Sequence, residues 1–209
     1  STFTLALNSA KTIEDASHSS LELVGIAEAQ AEAGDIKASQ STFTLALNSA
    51  KTIEDASHSS LELVGIAEAQ AEAGDIKASQ STLTLALNSA KTIEDAYWRS
   101  DALRGIAEAQ AKAGDIKASQ STFTLALNSA NMIEDADDRS SALRGIAEAQ
   151  AKAGDIKASQ STFTLALNSA KTIEDASHSS LELVGIAEAQ AEAGDIKASQ
   201  STFTLALNS

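Results

Sequence analysis

No cysteine occurs in the 209 residues, which excludes a disulfide framework and any thiolate metal site. No proline occurs either, so helices must be ended by other residues, glycine first among them. Aromatics are scarce: five Phe, one Trp and one Tyr. A core has to be built mainly from Ala, Leu and Ile, and the rare aromatics stand out where they occur. No apolar run approaches the ~20 residues that a membrane-spanning helix needs. No secretory signal pattern is visible, and the composition is compatible with a cytoplasmic protein. Basic residues are also few, 15 against 29 acidic ones, for a net charge of −14. Such a chain repels phosphate backbones, so neither nucleic acid nor membrane is expected as a partner.

What the chain does contain is one unit written over and over. Residues 1–40, 41–80 and 161–200 are identical, 81–120 and 121–160 are variants of them, and 201–209 begin a sixth copy. A 40-residue unit is too small to bury a stable core alone, so it must stack on its neighbours. The expectation is therefore a single repeat domain over 1–209. Identity at this level points either to recent tandem duplication or to a designed or idealised array.

The stretch STFTLALNS alternates like a strand at its start, but Phe43, Ala46, Leu47 and Ala50 follow the i, i+3, i+4, i+7 spacing of a helix face. Leu23, Ile26, Ala27 and Gln30 do the same upstream. Each block thus holds two amphipathic helices, a first at roughly 16–33 and a second at roughly 36–53. Gly34 ends the first, Asp35 caps the second, and Asp55 caps the first helix of the next block. Two-residue loops would make each pair an antiparallel hairpin. The fold class is all-α, an α-solenoid of stacked helix-turn-helix repeats.

Block 81–120 reads Leu103-x2-Ile106-Ala107-x2-Gln110, then Gly114-Asp115, then Ser119-x3-Phe123-x2-Ala126-Leu127. This resembles the tetratricopeptide repeat, whose pattern places small and large residues at these intervals. The period departs from the family's value of about 34. Its closing Pro is absent, and Gln110 stands where an aromatic is usual. The resemblance implies a non-catalytic scaffold that binds a protein or peptide in a groove lined by the first helix of each hairpin.

Counting from the Gly-Asp turn, the groove places implied by the family hold Asp101, Arg104, Glu108 and Lys112 in one variant block, and Ser141, Arg144, Glu148 and Lys152 in the next. In the identical blocks the same places hold Leu21, Val24, Glu28 and Glu32. Blocks differ there and at the helix entrance, where Tyr97, Trp98, Arg99 and Arg139 appear, while the core places of the first helix (Leu103, Ile106, Ala107, Gln110) stay constant and the second helix exchanges one core Phe for Leu83. Tyr and Trp supply contact area, and Arg supplies bidentate carboxylate recognition. These twelve residues form the candidate partner-binding patch, for a ligand that bears carboxylates. Leu21 and Val24 would leave apolar side chains on the same face elsewhere, suited to an amphipathic helix or to another copy. Burial of Trp98 and Tyr97 in a seam between repeats is the alternative to ligand contact.

No nucleophile–base–acid set, phosphate loop or metal motif is visible, so neither enzyme activity nor a cofactor is expected. His18, His58 and His178 share one repeat place. Stacked helices sit about 10 Å apart, too far for these imidazoles to share zinc. They are expected in solvent. The Glu14-Asp15 pairs fit helix capping. Because the chain starts and ends in one phase of the repeat, head-to-tail self-assembly of chains is a second expectation.

Overall fold

The computed structural model describes residues 2–208. Among them lie eleven α-helices: α1 Thr2–Ala10, α2 Ala16–Glu32, α3 Ile36–Ala50, α4 Ala56–Glu72, α5 Ile76–Ala90, α6 Ala96–Lys112, α7 Ile116–Ala130, α8 Ala136–Lys152, α9 Ile156–Ala170, α10 Ala176–Glu192 and α11 Ile196–Ala206. No strand occurs among the described residues. The fold class is the all-α repeat solenoid expected from the periodicity. Contacts divide the chain into two units, Ser1–Ile93 with Lys112–Asp115, and Glu94–Ala111 with Ile116–Ser209.

The turn inside each hairpin follows from glycine. Gly34 has φ +82°, a backbone that costs a side chain steric strain and costs glycine nothing. It closes a Schellman motif: Gly34 N–H donates to the Ala31 carbonyl and Asp35 N–H to the Gln30 carbonyl, both at 2.9 Å. Asp35 then accepts from the Ala38 amide at 3.1 Å and starts α3. The connection is three residues, 33–35, rather than two.

The second helix stops at Ala50, three residues before the expected end. A tight backbone turn is the cause: the Thr52 amide donates to the Ser49 carbonyl at 2.9 Å, with its hydroxyl adding a bond at 2.7 Å, and the Met132 amide makes the same turn onto Ser129 at 3.0 Å with no hydroxyl to help. That tight turn takes the chain out of the helix, and five residues, 51–55, lead to the next one. Asp55 accepts the His58 amide at 2.8 Å as the cap of α4.

In the first unit α2 packs on α3 and α4 on α5, with α2 also touching α4; in the second, α8–α9 and α10–α11 form the same hairpins, with α8 against α10. The α2–α4 and α8–α10 contacts bring first helices together. Leu63, Ile66, Ala67, Phe43, Ala46 and Ala50 are at most 3% exposed, so both proposed helix faces point inward. The alanines let helices approach closely while each Leu, Ile or Phe contributes about 1.5–3 kcal/mol of burial.

Gln30 also belongs to this core, and the reason is a polar bond. Its side-chain oxygen accepts the Thr42 hydroxyl at 2.7 Å, tying the two helices of the hairpin. Gln70–Thr82, Gln150–Thr162 and Gln190–Thr202 repeat it at 2.7–2.8 Å. Between hairpins, Gln40 donates to the second oxygen of the cap Asp75 at 2.8 Å. Gln120–Asp155 and Gln160–Asp195 are its equivalents in the second unit. One aspartate thus starts a helix and anchors the preceding repeat.

Candidate functional site

Within the second unit, the first helices α6 and α8 border a cleft of about 270 Å³. Eight of the twelve patch residues line it: Tyr97, Asp101, Arg104 and Glu108 from α6, Ser141, Arg144, Glu148 and Lys152 from α8. They share a face because their spacings are three, four or seven residues along a helix. Ser100, Ala142, Gly145 and Ala149 complete the walls.

The two arginines at equivalent places are used differently. Arg104 is committed: it bonds Asp101 at 2.5 and 3.2 Å and Glu108 at 2.6 Å. Burial opposes its charge, but the two carboxylates outweigh that and raise its pKa. Its stem lies across α8, with Cδ 3.5 Å from where a Cβ on Gly145 would stand. Arg144 is loosely held: its closest carboxylates are Glu148 at 3.7 Å and Glu182 at 3.9 Å, and Ser141 Oγ stands 3.5 Å away. Its covered Nε donates to nothing. A charge-assisted bond runs near 2.7–2.9 Å, so Arg144 has donor capacity that Arg104 has already spent. Lys152 is exposed and no ion pair within 4 Å joins it to a described residue. Burial pushes the Glu182 carboxyl up, against the pull of Arg144.

Four patch residues stand elsewhere. Arg99 donates to Ser129 Oγ at 3.0 Å and to the Glu94 carbonyl at 2.9 Å. Arg139 does likewise to Ser169 Oγ at 2.9 Å and the Ile133 carbonyl at 2.7 Å. Both brace the helix entrance. In the identical blocks a serine fills that place and bonds a carbonyl instead, as Ser179 bonds Ala170. Lys112 belongs to the first unit, where it pairs with Glu68 at 2.9 Å. Trp98 is 58% exposed and meets the Tyr97 ring edge-on at 5.3 Å, so its indole is not sealed in a seam. The histidines are in solvent, as expected, with side chains 65–78% exposed. No group of residues among those described is arranged to hold a metal ion.

The position pattern singled out the cleft but not the division of labour inside it. Which arginine is spent depends on the residue three places earlier, Asp101 in one block and Ser141 in the next.

No family model and no curated protein matches the chain. Among solved structures, Ton1535 from Thermococcus onnurineus NA1 is similar, with a TM-score of 0.66 and 21% identity. The match covers 90% of this chain and 52% of that protein, so the chain spans about half the length of Ton1535. BtubC (BKLC) from P. vanneervenii is similar at a TM-score of 0.51 and 13% identity, covering 99% of this chain and 87% of that one. At these identities the likeness concerns the fold: a helical-hairpin repeat array.

Proposed function

We propose that the protein is a non-catalytic interaction scaffold of the tetratricopeptide-like kind, and that the α6–α8 cleft receives a carboxylate-bearing peptide or protein segment. One observation carries this reading. Outside the helix entrance, the places that distinguish the two variant blocks include several lining a cleft, while the core places of the first helices are repeated unchanged. Arg144 and Lys152 supply the available cations, and Tyr97 with Trp98 supplies contact area at the rim. The α2–α4 face of the first unit has glutamates at the places of Lys152 and Lys112, and would repel the same ligand.

The test uses Trp98, the single tryptophan. Its emission is followed while peptides with a free C-terminus, with an internal Glu, or amidated and uncharged are added. The expected result is a saturable change for the carboxylate peptides that weakens with salt. It should vanish in the variant Arg144→Val with Lys152→Glu, which restores the residues of the identical blocks. An equal response to the uncharged peptide, or in the variant, would defeat the reading.

A further inference from the structure

The first unit lacks cations at places where the chain elsewhere fills equivalent sites with its own. In the second unit, the guanidinium of Arg144 lies over Gly185, its Cζ 3.4 Å from where a Cβ would stand, with Glu182 at 3.9 Å. In the first unit the equivalent of Arg144 is Val24. Gly65, the equivalent of Gly185, therefore has nothing within 4 Å above it, and Glu62, the equivalent of Glu182, has no arginine beside it. A second vacancy lies along the same helix. Lys112 bonds Glu68 at 2.9 Å; one repeat earlier the two places hold Glu28 and Glu72, two acids and no base. Those two and Glu32 border a cleft of about 430 Å³.

Apolar surface frames these sites. Leu21 is 62% and Leu61 68% exposed, on the helix face that carries Gly65 and the acids. In the variant blocks the same place is Asp101 or Ser141. Blocks that lack the internal cations keep the exposed leucine, and blocks that have them lose it.

We propose that the α2–α4 face of the first unit docks a basic amphipathic helix. One cationic side chain lies in the Gly65 notch beside Glu62, as Arg144 lies over Gly185. A second reaches between Glu28 and Glu72, as Lys112 reaches Glu68. Apolar residues of the partner cover Leu21 and Leu61. From Gly65 to Glu72 is seven residues, about 10 Å along α4, so the two cations stand seven apart on a partner helix. The electrostatics agree: burial, and then repulsion from Glu72 and Glu32, raises the Glu28 pKa, and burial raises that of Glu62. At Glu62 the Ser20 hydroxyl and the His58 and His18 imidazoles pull the other way, whereas Glu28, Glu32 and Glu72 stand together with no cation among them and are relieved by an arriving one.

The test is calorimetric titration at low salt with an Ala/Leu helix of about 18 residues. It carries Lys seven apart beside a leucine stripe; a control peptide carries Glu instead. The chain itself supplies the variants that fold: Val24→Arg, Glu72→Lys and Leu61→Asp each introduce the residue found at that place in block 81–120. The lysine peptide should bind with an affinity that drops as salt rises. The double variant Val24→Arg, Glu72→Lys should weaken it at least about tenfold, and Leu61→Asp several-fold. Absence of binding, equal binding of the Glu peptide, or full binding to the double variant would overturn the proposal. Loss of this binding in Arg144→Val would move it to the α6–α8 cleft and overturn it too, while leaving the scaffold reading in place. A chain whose mass doubles with concentration, and is restored to monomer by Leu61→Asp, would assign the face to a second copy instead.

Discussion

Removing one hydroxyl should cost the protein different amounts in two nearly identical repeats. Thr82 is 1% exposed and donates to Gln70 Oε1 at 2.7 Å, with Gln70 itself 3% exposed. Thr82→Val keeps the shape, deletes the donor and leaves a buried amide oxygen without a partner. That loss is about 1–3 kcal/mol. Replacing both partners, Thr82→Val with Gln70→Leu, removes the stranded oxygen along with the bond and should recover most of the loss. The α6–α7 hairpin provides the internal comparison. There Gln110 Oε1 is buried and already unpartnered. Thr122→Val therefore breaks no bond to it and should cost clearly less than Thr82→Val. The assay is urea unfolding followed by far-ultraviolet circular dichroism, with all variants fitted to one nearest-neighbour repeat description. Equal losses at Thr82 and Thr122, or a double variant no more stable than Thr82→Val, would refute the argument that the stranded oxygen carries the cost.

Two further outcomes follow from the geometry. Gly65→Ala sits in a helix with open space above it and should stabilise the array by about 0.5–1 kcal/mol, whereas Gly74→Ala, at φ +84°, should destabilise it; opposite shifts in the thermal midpoint check this. The pH dependence should have a maximum on the acid side of neutrality. Glu28, Glu62 and Glu182 have raised pKa values, chiefly from burial, so the native state takes up protons before the unfolded one and gains stability as pH falls from neutral through their raised values. The capping Asp15 and Asp175 have lowered values, because the amides of His18 and His178 bond their charged form. Their contribution is present above the ordinary aspartate range and is lost as pH falls through the lowered values. A thermal midpoint that declines steadily from pH 7 downward would contradict the glutamate half of this.

Much of the fold was legible because its causes are local. Gly34 and Asp35 mark the turn by backbone freedom and capping, which depend on adjacent residues alone. The end of the second helix was misplaced because no single residue marks it: α7 stops at the equivalent Ala130 with Met132 where Thr52 stands, and what closes both is a tight backbone turn onto Ser49 or Ser129. Gln30 read as a core residue from its spacing, yet what satisfies it is Thr42, twelve residues away.

The candidate patch divides along the same line. By itself the sequence determined the period, the two helices, their inward faces and the places where blocks differ, since each of these follows from spacing along one chain. Tertiary structure decided what the variable residues do. Arg99 and Arg104 are five residues apart, so their side chains leave α6 in different directions; one braces Ser129, the other lies over Gly145 of the next repeat. Arg104 and Arg144 occupy equivalent places, and only their neighbours make one spent and the other available. Such roles depend on which side chains a 40-residue stagger brings within bonding distance, and that distance exists only once the helices have packed.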